Sequence, residues 1–359
     1  MLRGTARMVP IAMMLPLLLA AEGGAQSSPE SLIAADHWKQ ARLLVEARLK
    51  TNPGDAMTNF LAARVKEAAG DYAGALPLAE KAVALNPDHA DSHCLLGVIY
   101  GRQLSKAGIL RQLGLVRRFR KECEIALRLN PRHVEARLAL IEFYFQAPGI
   151  AGGDKAKAHA LAEEITAVDP VRGYIAQASL ARRERKNDLL ESFYLKAVAA
   201  NPKSYEALVN LAGYYSRETQ DKIDLVEKYA NQALDLEPGR IQAYGLLAQR
   251  QARLERWPEL DQILERAEKN VPDNLTPYFQ AGRVVFQQGK DPARAERYFR
   301  KYLSQEPEAT FPSAAQAYWR LGQTLEKMNR KSEAVEAIRT AVKLDSSLQG
   351  AKRDLKRIR

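Results

Sequence analysis

The residues with metal-binding chemistry come closest together at His89, Asp91, His93 and Cys94. Imidazole nitrogens, carboxylates and thiolates all bind zinc, and a zinc site needs three or four of them converging on one point. His93 falls where the helical pattern places an inward-facing core residue, whereas His89 falls in a turn. Because these ligands diverge, we expect no metal site here, and nothing else in the sequence indicates a cofactor.

Catalytic residues are equally hard to assemble from this sequence. None of the histidines stands with a serine or cysteine in a loop context that would hold a nucleophile beside its base. The sequence therefore predicts a protein without enzymatic activity, and we assign no catalytic residue. The histidines are His37, His89, His93, His133 and His159.

A glycine-rich segment at 147–154 has the composition of a phosphate-binding loop. No predicted strand precedes it, and Lys155 does not stand at the spacing of a P-loop lysine. Pro148 instead ends one helix, and Asp154 can cap the next by accepting a backbone N–H. We interpret the segment as a turn between helices.

The elements that position all these residues are visible in the stretch from Gly70 to Tyr100. A turn leads into a helix with small residues three to four positions apart, and Asn86-Pro87 ends that helix because proline lacks the amide donor. A second helix follows at once, in which Gly97 would permit close approach to the small residues of the first. Those small residues are Ala75, Ala79 and Ala82.

The same pattern recurs along the chain, and the prolines that end its units are spaced by 34, 44, 39, 32, 36, 34 and 35 residues. A further unit around Gly322 has Ser346 where the proline would stand. Such a period predicts stacked helical hairpins, each too small to bury its apolar face alone. The prolines are Pro53, Pro87, Pro131, Pro170, Pro202, Pro238, Pro272 and Pro307.

The segment Leu96–Tyr100, with Ala75, Ala82 and Pro87, resembles the tetratricopeptide repeat, whose 34-residue unit carries W-x2-L-G-x2-Y, a later A-x3-F and a terminal proline. The Ala-Pro-Gly and Gly-Gly-Asp turns at 147–154 are also similar to those of secreted bacterial members of this family. The resemblance implies an all-α, right-handed solenoid of about eight to nine repeats with a concave groove.

The predicted organisation places a solenoid at 31–345, with an extended hairpin at about 101–130 and the glycine-rich turn at 147–154. The extra residues of that hairpin are expected to lengthen both of its helices. A basic capping helix at 346–359 is expected to end the stack.

A cleavable signal peptide is predicted at 1–25, followed by a linker at 26–30. Arg3 and Arg7 precede an apolar run at 8–21 that is too short to span a bilayer, and small residues follow it. We therefore expect a periplasmic or secreted protein. Cys94 and Cys123 could form a disulfide in that compartment, but two buried free thiols are favoured.

The resemblance also implies which residues line the groove. Aromatic anchors bordered by arginine suit an extended or helical peptide, although the same aromatics could instead pack between repeats. The lysine and asparagine that clamp a carboxylate in chaperone-binding members are absent, so an acidic C-terminal peptide is not expected to bind by that route. The assigned groove residues are Phe60, Arg64, Phe145, Tyr174, Arg217, Arg253, Phe279, Arg283, Phe286 and Trp319.

A second candidate surface is the basic segment from Arg102 to Arg132, which contains nine basic residues and only two acidic ones. The chain without residues 1–25 keeps 52 basic and 42 acidic residues, which favours anionic partners. Nucleic acid is not expected, because no recognition motif is present. The assigned basic patch is Arg102, Lys106, Arg111, Arg117, Arg118, Arg120 and Lys121.

These observations predict a non-enzymatic scaffold of the cell envelope that binds a protein or peptide partner in its concave groove. The alternative is a recognition module that binds an anionic envelope polymer or lipid head groups through the basic patch. Both hypotheses require the same helical stack.

Overall fold

A computed structural model describes residues 28–104, 108–217, 222–308 and 312–358. Over these residues the chain forms α-helices and short 3₁₀ turns and no β-strand, which confirms the predicted all-α solenoid class. The predicted signal peptide lies outside the described residues, as does Lys106 of the basic patch. The first helix begins at Pro29, two residues before the predicted solenoid.

The described helices pair into consecutive hairpins, each with a first and a second helix, followed by one last helix. The first helices are α1 (Pro29–Ala34), α3 (Ala56–Ala68), α5 (Ala90–Gln103), α7 (Val134–Gln146), α9 (Pro170–Arg183), α11 (Tyr205–Tyr215), α13 (Ile241–Arg253), α15 (Thr276–Gln288) and α17 (Ala314–Lys327). The second helices are α2 (Trp38–Thr51), α4 (Tyr72–Leu85), α6 (Ile109–Leu129), α8 (Lys155–Val168), α10 (Leu190–Ala200), α12 (Ile223–Leu236), α14 (Trp257–Asn270), α16 (Pro292–Tyr302) and α18 (Lys331–Leu344). The last helix is α19 (Gln349–Ile358).

The turn inside many hairpins places one residue in the left-handed region just after the first helix. Gly70 and Gly289 adopt this conformation without a steric penalty. Arg185, Glu255 and Asn329 adopt it with φ between 57° and 62°. The recurrence of this conformation at the same place in successive hairpins shows that the units share one turn geometry, although the sequence there varies.

Several helices begin at a side chain that caps the first turn. The Asp55 carboxylate accepts the Thr58 backbone N–H at 2.7 Å, and the Asp154 carboxylate accepts that of Lys157 at 3.1 Å. Ser313 and Gln316 form a reciprocal capping box at the start of α17. The glycine-rich segment 147–154 thus ends in a helix cap, after one 3₁₀ turn at Gly149–Ala151.

Successive first helices contact one another along the stack, while second helices pack mainly against first helices. The layer whose members touch lies on the inside of the curve. The core fills the space between the layers, where Ala75, Ala79 and Ala82 are at most 1% exposed. None of the helices in the described residues is both long and apolar enough to cross a membrane.

Two details of the extended hairpin differ from expectation. The additional length lies in α6, which has 21 residues, whereas α5 keeps the 14 residues of its neighbours. Gly97 makes its close approach to α6 and not to the alanines of α4: a Cβ atom there would lie 3.2 Å from the Phe119 carbonyl oxygen and 3.1 Å from Cys123 Sγ. The long α6 therefore packs against α5 at a glycine contact.

The stack turns far enough for its first hairpin to meet its later units. The Asp36 carboxylate, in the turn between α1 and α2, accepts the Gln242 amide at 2.6 Å. His37 Nδ1 lies 2.9 Å from a carboxylate oxygen of Asp273. These contacts join residues more than 200 positions apart and bring α2 against the turns that precede α13 and α15.

A second set of contacts holds the same hairpin against the loop after α16. The Lys39 backbone N–H donates to Glu308 at 2.8 Å, and the Lys39 ammonium lies 3.4 Å from the other oxygen of that carboxylate. Arg42 forms a bidentate pair with Glu306, with distances of 3.1 and 2.8 Å. We call the contacts of Asp36, His37, Lys39 and Arg42 with these later units the closure contacts.

The two cysteines give a first testable prediction. Cys94 and Cys123 are both buried and unbridged, and burial raises the pKa of the Cys94 thiol to about 12 and that of Cys123 well above its usual range. Because the thiolate is the reactive form, neither should react with Ellman's reagent at pH 8 in the folded protein. Both should react after unfolding in guanidinium chloride. Rapid release of colour from the folded protein would contradict this packing.

Candidate binding groove

The inner layer borders a cavity of about 400 Å³ that the first hairpin helps to enclose. Asp36 and Trp38 of the first hairpin form one side, opposite residues of α9, α11, α13 and α15. Side-chain amides and hydroxyls are frequent in the lining, and they can bond to the N–H and C=O groups of an extended peptide. These residues are Asn210, Gln242, Asn274, Thr276 and Gln280.

Cations recur along the first helices and their C-terminal ends. None of them has a carboxylate partner within 4 Å among the described residues, although ion pairs are frequent elsewhere in the same part of the chain. Most are fixed by neutral groups, as where Arg253 donates to the Ser216 carbonyl at 2.9 Å. We call them the groove cations: Arg182, Arg217, Arg253, Arg283, Arg320 and Lys327.

Arg283 is held by a chain of glutamine amides. It donates to Gln249 Oε1 at 2.8 Å, and the amide nitrogen of Gln249 donates to Gln280 Oε1 at 3.1 Å. Gln280 also lines the cavity. The guanidinium is therefore oriented by neutral acceptors, which leave its positive charge uncompensated.

Arg320 is held in the same manner one unit further along. It donates to Gln323 Oε1 at 2.8 Å and lies 4.7 Å from the Trp319 ring centroid. Burial, followed by the charge of Arg283, lowers the pKa of Arg320, and Asp354 opposes this effect. The Asp354 carboxylate itself accepts hydrogen bonds from Trp319 Nε1 at 2.8 Å and Gln323 at 2.7 Å. Arg283 and Arg320 are thus half-buried guanidinium groups on the adjacent first helices α15 and α17.

Phe286 lies between these cations. Its ring centroid is 4.1 Å from the Lys327 ammonium and 5.7 Å from the Arg320 guanidinium carbon. Lys327 also donates to the Phe286 carbonyl at 3.1 Å. The aromatic ring and the cations together form a surface that presents both apolar carbon and positive charge.

The predicted groove residues divide by exposure. Arg64, Arg217 and Arg253 are exposed, and five others are half-buried. The half-buried aromatics Phe145 and Tyr174 are covered in part by lysine, with Lys155 lying 5.2 Å from the Phe145 centroid. The half-buried set is Phe145, Tyr174, Arg283, Phe286 and Trp319.

The assignment of Phe60 and Phe279 to the groove surface is wrong. Phe60 is 7% exposed and packs edge-on against His89, and Phe279 is 5% exposed between Phe299 and Tyr302. Both lie at the groove stripe of their helices, but Phe279 is covered by residues of α16 in its own hairpin, and Phe60 is covered by His89 at the start of α5. They stabilise the core and are not accessible to a partner.

Most of the predicted basic patch lies on one long helix, α6, while Arg102 lies in the last turn of α5. Arg111, Arg117, Arg118 and Lys121 are exposed, and none of them has a carboxylate partner within 4 Å among the described residues. The other two described members are paired: Arg102 lies 3.4 Å from Glu67 and Arg120 lies 3.5 Å from Glu124. The face of α6 is therefore basic, with part of its charge neutralised by neighbours.

The candidate metal ligands around His89 and His93 are bonded to other protein groups. His93 Nδ1 lies 2.6 Å from Glu122, and its Nε2 lies 2.9 Å from the Pro87 carbonyl oxygen. His89 Nδ1 bonds to the Ser92 hydroxyl at 2.8 Å. Within the ranges that the structure covers, no group of three His, Cys, Asp or Glu side chains converges to hold a metal ion.

Sequence reasoning missed Arg182 and Arg320 as groove residues. Arg320 stands outside the stripe that the family resemblance assigns, but it could have been noticed as a basic residue beside a predicted anchor, Trp319. The contribution of Asp36 and Trp38 to the cavity has no local signal, because it depends on how far the whole stack turns.

Comparison with known proteins agrees with this architecture. Residues 60–107 and 279–348 match a family model described as tetratricopeptide repeat. No curated protein sequence matches the chain.

Two solved structures with TM-scores of 0.50 and 0.51 show the fold of this chain. Yeast Tom70 is 15% identical with a TM-score of 0.51, covering 93% of this chain and 82% of that one. A human IFIT1 dimer with PPP-AAAA is 16% identical with a TM-score of 0.50, covering 92% and 80%. A thermophilic TPR protein of Thermus thermophilus is 24% identical over 57% of this chain and 95% of that one, with a TM-score of 0.44.

Proposed function

Because this chain is a tetratricopeptide-repeat protein, we propose that it is a non-enzymatic scaffold of the cell envelope that holds a protein or peptide partner in its groove. Tetratricopeptide repeats are in general interaction scaffolds, and their fold is typically not catalytic. The observation that carries the proposal is the set of groove cations, which are oriented by neutral groups and lack carboxylate partners among the described residues.

Preorganised charge on an inner surface supports a binding role over a structural one. A cation that only stabilised the stack would gain more from a neighbouring carboxylate, as Arg330 does with Glu296 at 2.6 Å. The groove cations instead have glutamine and carbonyl partners, so their charge is available to a ligand. The adjoining cavity supplies amide groups that can satisfy the backbone of an extended peptide.

Site-specific photocross-linking tests this proposal. A photoreactive phenylalanine analogue replaces Phe286 on the inner surface or, as a control, Leu344 on α18, which is 55% exposed. After irradiation in an envelope extract, the inner position should give a defined protein adduct that the outer position does not give. Adducts that form equally at both positions, or only at Leu344, would overturn the proposal.

The envelope location is part of the proposal and is supported by the sequence alone. Arg3, Arg7 and the apolar run at 8–21 have the order of a secretory signal. N-terminal sequencing of the protein from a periplasmic fraction should find a start near residue 26. Full-length protein recovered from the cytosol would contradict the location without affecting the groove.

The alternative function, binding of an anionic envelope polymer or lipid surface through α6, is favoured by one observation. Exposed cations on this 21-residue helix lack carboxylate partners among the described residues. A helix with such a face attracts polyanions, and the attraction weakens as salt screens it.

A charge-removal variant of α6 gives a second prediction. Replacing Arg117, Arg118, Arg120 and Lys121 by serine should lower retention on an immobilised anionic polymer at low salt, if this face binds it. The same number of substitutions at exposed cations of α18 and α19 serves as the control. Unchanged retention of the α6 variant across a salt series would remove this alternative.

A further inference from the structure

The groove segment between α15 and α17 carries half-buried guanidinium groups on adjacent first helices. The Arg320 guanidinium carbon lies 5.7 Å from the Phe286 ring centroid, and Phe286 is three residues from Arg283 on α15. Arg283 and Arg320 are both half-buried, and each is fixed by a glutamine oxygen at 2.8 Å. Among the described residues neither forms an ion pair. Asp354, the acid that acts on Arg320, is occupied by Trp319 and Gln323.

We propose that Arg283 and Arg320 form a carboxylate-binding site that takes an acidic side chain from an extended segment of the partner protein. A carboxylate placed between two guanidinium groups would remove their repulsion and accept hydrogen bonds from both. The glutamine chains hold the two groups in place before the ligand arrives, so little side-chain entropy is lost on binding.

Two neighbouring features define the rest of the ligand. Arg253 and Lys327 add positive charge at the ends of α13 and α17, which favours a segment with more than one acidic residue. Gln280 connects the site to the cavity through Gln249, and the amide groups there suit a peptide backbone.

This site differs from the absent carboxylate clamp of chaperone-binding repeats. Its two arginines lie on adjacent first helices late in the chain and do not occupy the clamp positions, which here carry Phe60, Cys94 and Leu138. A free C-terminal carboxylate is not required, because an internal glutamate or aspartate presents the same group. The inference rests on the proposed function and names the chemistry of its partner.

Fluorescence anisotropy with two synthetic probes tests the inference. One probe is a dye-labelled decapeptide of alternating glutamate and leucine, and the other is its glutamine counterpart. The full chain should bind the glutamate probe and leave the glutamine probe unbound. The variant Arg283→Gln/Arg320→Gln should bind the glutamate probe at least about a hundredfold more weakly, because two charge-assisted hydrogen bonds to its carboxylate are lost.

A matched control removes the same charge from the outer surface. Arg297 on α16 and Arg339 on α18 are exposed, and Arg297→Gln/Arg339→Gln should bind like the unaltered protein. Equal binding by the groove variant, equal loss in the control, or equal binding of both probes would overturn the inference. So would heparin that binds through Arg283 and Arg320 while the glutamate probe does not, because the site would then serve a polymer.

The photocross-link separates this inference from the proposed function. If the Phe286 adduct forms and excess glutamate peptide does not reduce it, the carboxylate site is wrong but the groove still binds a partner. If no adduct forms while the glutamate probe binds through the two arginines, the site exists but the scaffold proposal fails.

Discussion

Replacing Phe299 by alanine should destabilise the eighth hairpin by about 3–5 kcal/mol, the usual cost of emptying a buried aromatic position. Phe299 is 0% exposed, and its ring centroid lies 5.7 Å from that of Phe279. It also packs against Gly282, where no side chain can move in to fill the space. Hydrogen exchange of α15 to α18 measures this loss.

The distribution of the effect distinguishes a closed stack from an open one. Stability in a solenoid passes between neighbours, so α5 and α7 should keep their protection. Glu306 and Glu308 lie just after α16 and make closure contacts with α2. We therefore expect α2 to lose protection together with the eighth hairpin. Leu344→Ala, at a 55% exposed position, should change little. Unchanged exchange of α15 to α18 would contradict the packing described here.

Replacing Glu308 by alanine should release the first hairpin. The carboxylate accepts the Lys39 N–H and lies beside the Lys39 ammonium, and its side chain is 1% exposed. Loss of a hydrogen-bonded charge of this kind costs about 2 kcal/mol. Hydrogen exchange of α2 should rise, while α9 and α11 remain protected. Glu333→Ala, at an exposed ion pair of α18, is the control.

The same contacts predict a dependence on pH. The hydrogen bond to Asp273 raises the pKa of His37 in spite of burial, and burial raises the pKa of Glu308. A raised pKa means that His37 and Glu308 each bind a proton more tightly in the closed form than in the open form. The contribution of His37 is therefore complete below its ordinary pKa of 6.5 and is lost as the pH rises through the higher value in the closed form.

Glu308 also makes the closed form less stable as the pH rises, but it does so at lower pH than His37. The reason is that burial disfavours the charged form of its carboxyl group. Asp273, whose pKa is lowered by His37 against the opposing effect of burial, contributes above its ordinary value of 3.8. Closure should therefore be tightest in mildly acidic solution and loosen as the pH rises above neutrality. His37→Gln should flatten the fall in the protection of α2 above pH 6.5, where protection is the exchange rate of the unstructured chain at each pH divided by the observed rate. A fall in protection that persists in this variant would show that another group is responsible.

The repeating part of the fold could be predicted because it is encoded locally. Each proline after a second helix and each small-residue stripe acts within a single hairpin, so the unit boundaries follow from spacing. The lengthening of α6 alone could not be assigned in this way, because the apolar spacing fits either helix. The structure shows that α6 has 21 residues, whereas α5 has 14.

The groove could be predicted only in outline. The stripe rule placed Phe286 and Trp319 on the inner surface, but it also placed Phe279 there. Phe279 is buried against Phe299 and Tyr302 of α16 in its own hairpin. Arg320 lies beside the stripe and is significant only because Arg283 of the preceding unit lies near it. The closure contacts join residues separated by more than 200 positions and depend on small rotations added over many units.

The distance between the first hairpin and the later units tests the central claim that the stack turns back and encloses its groove. Glu46 and Lys269 are exposed, and cysteines at these positions can carry spin labels because the native thiols are buried. Pulsed dipolar spectroscopy should give one narrow distance distribution, which Glu308→Ala broadens toward longer distances. A broad distribution that is the same with and without Glu308 would contradict the closed stack.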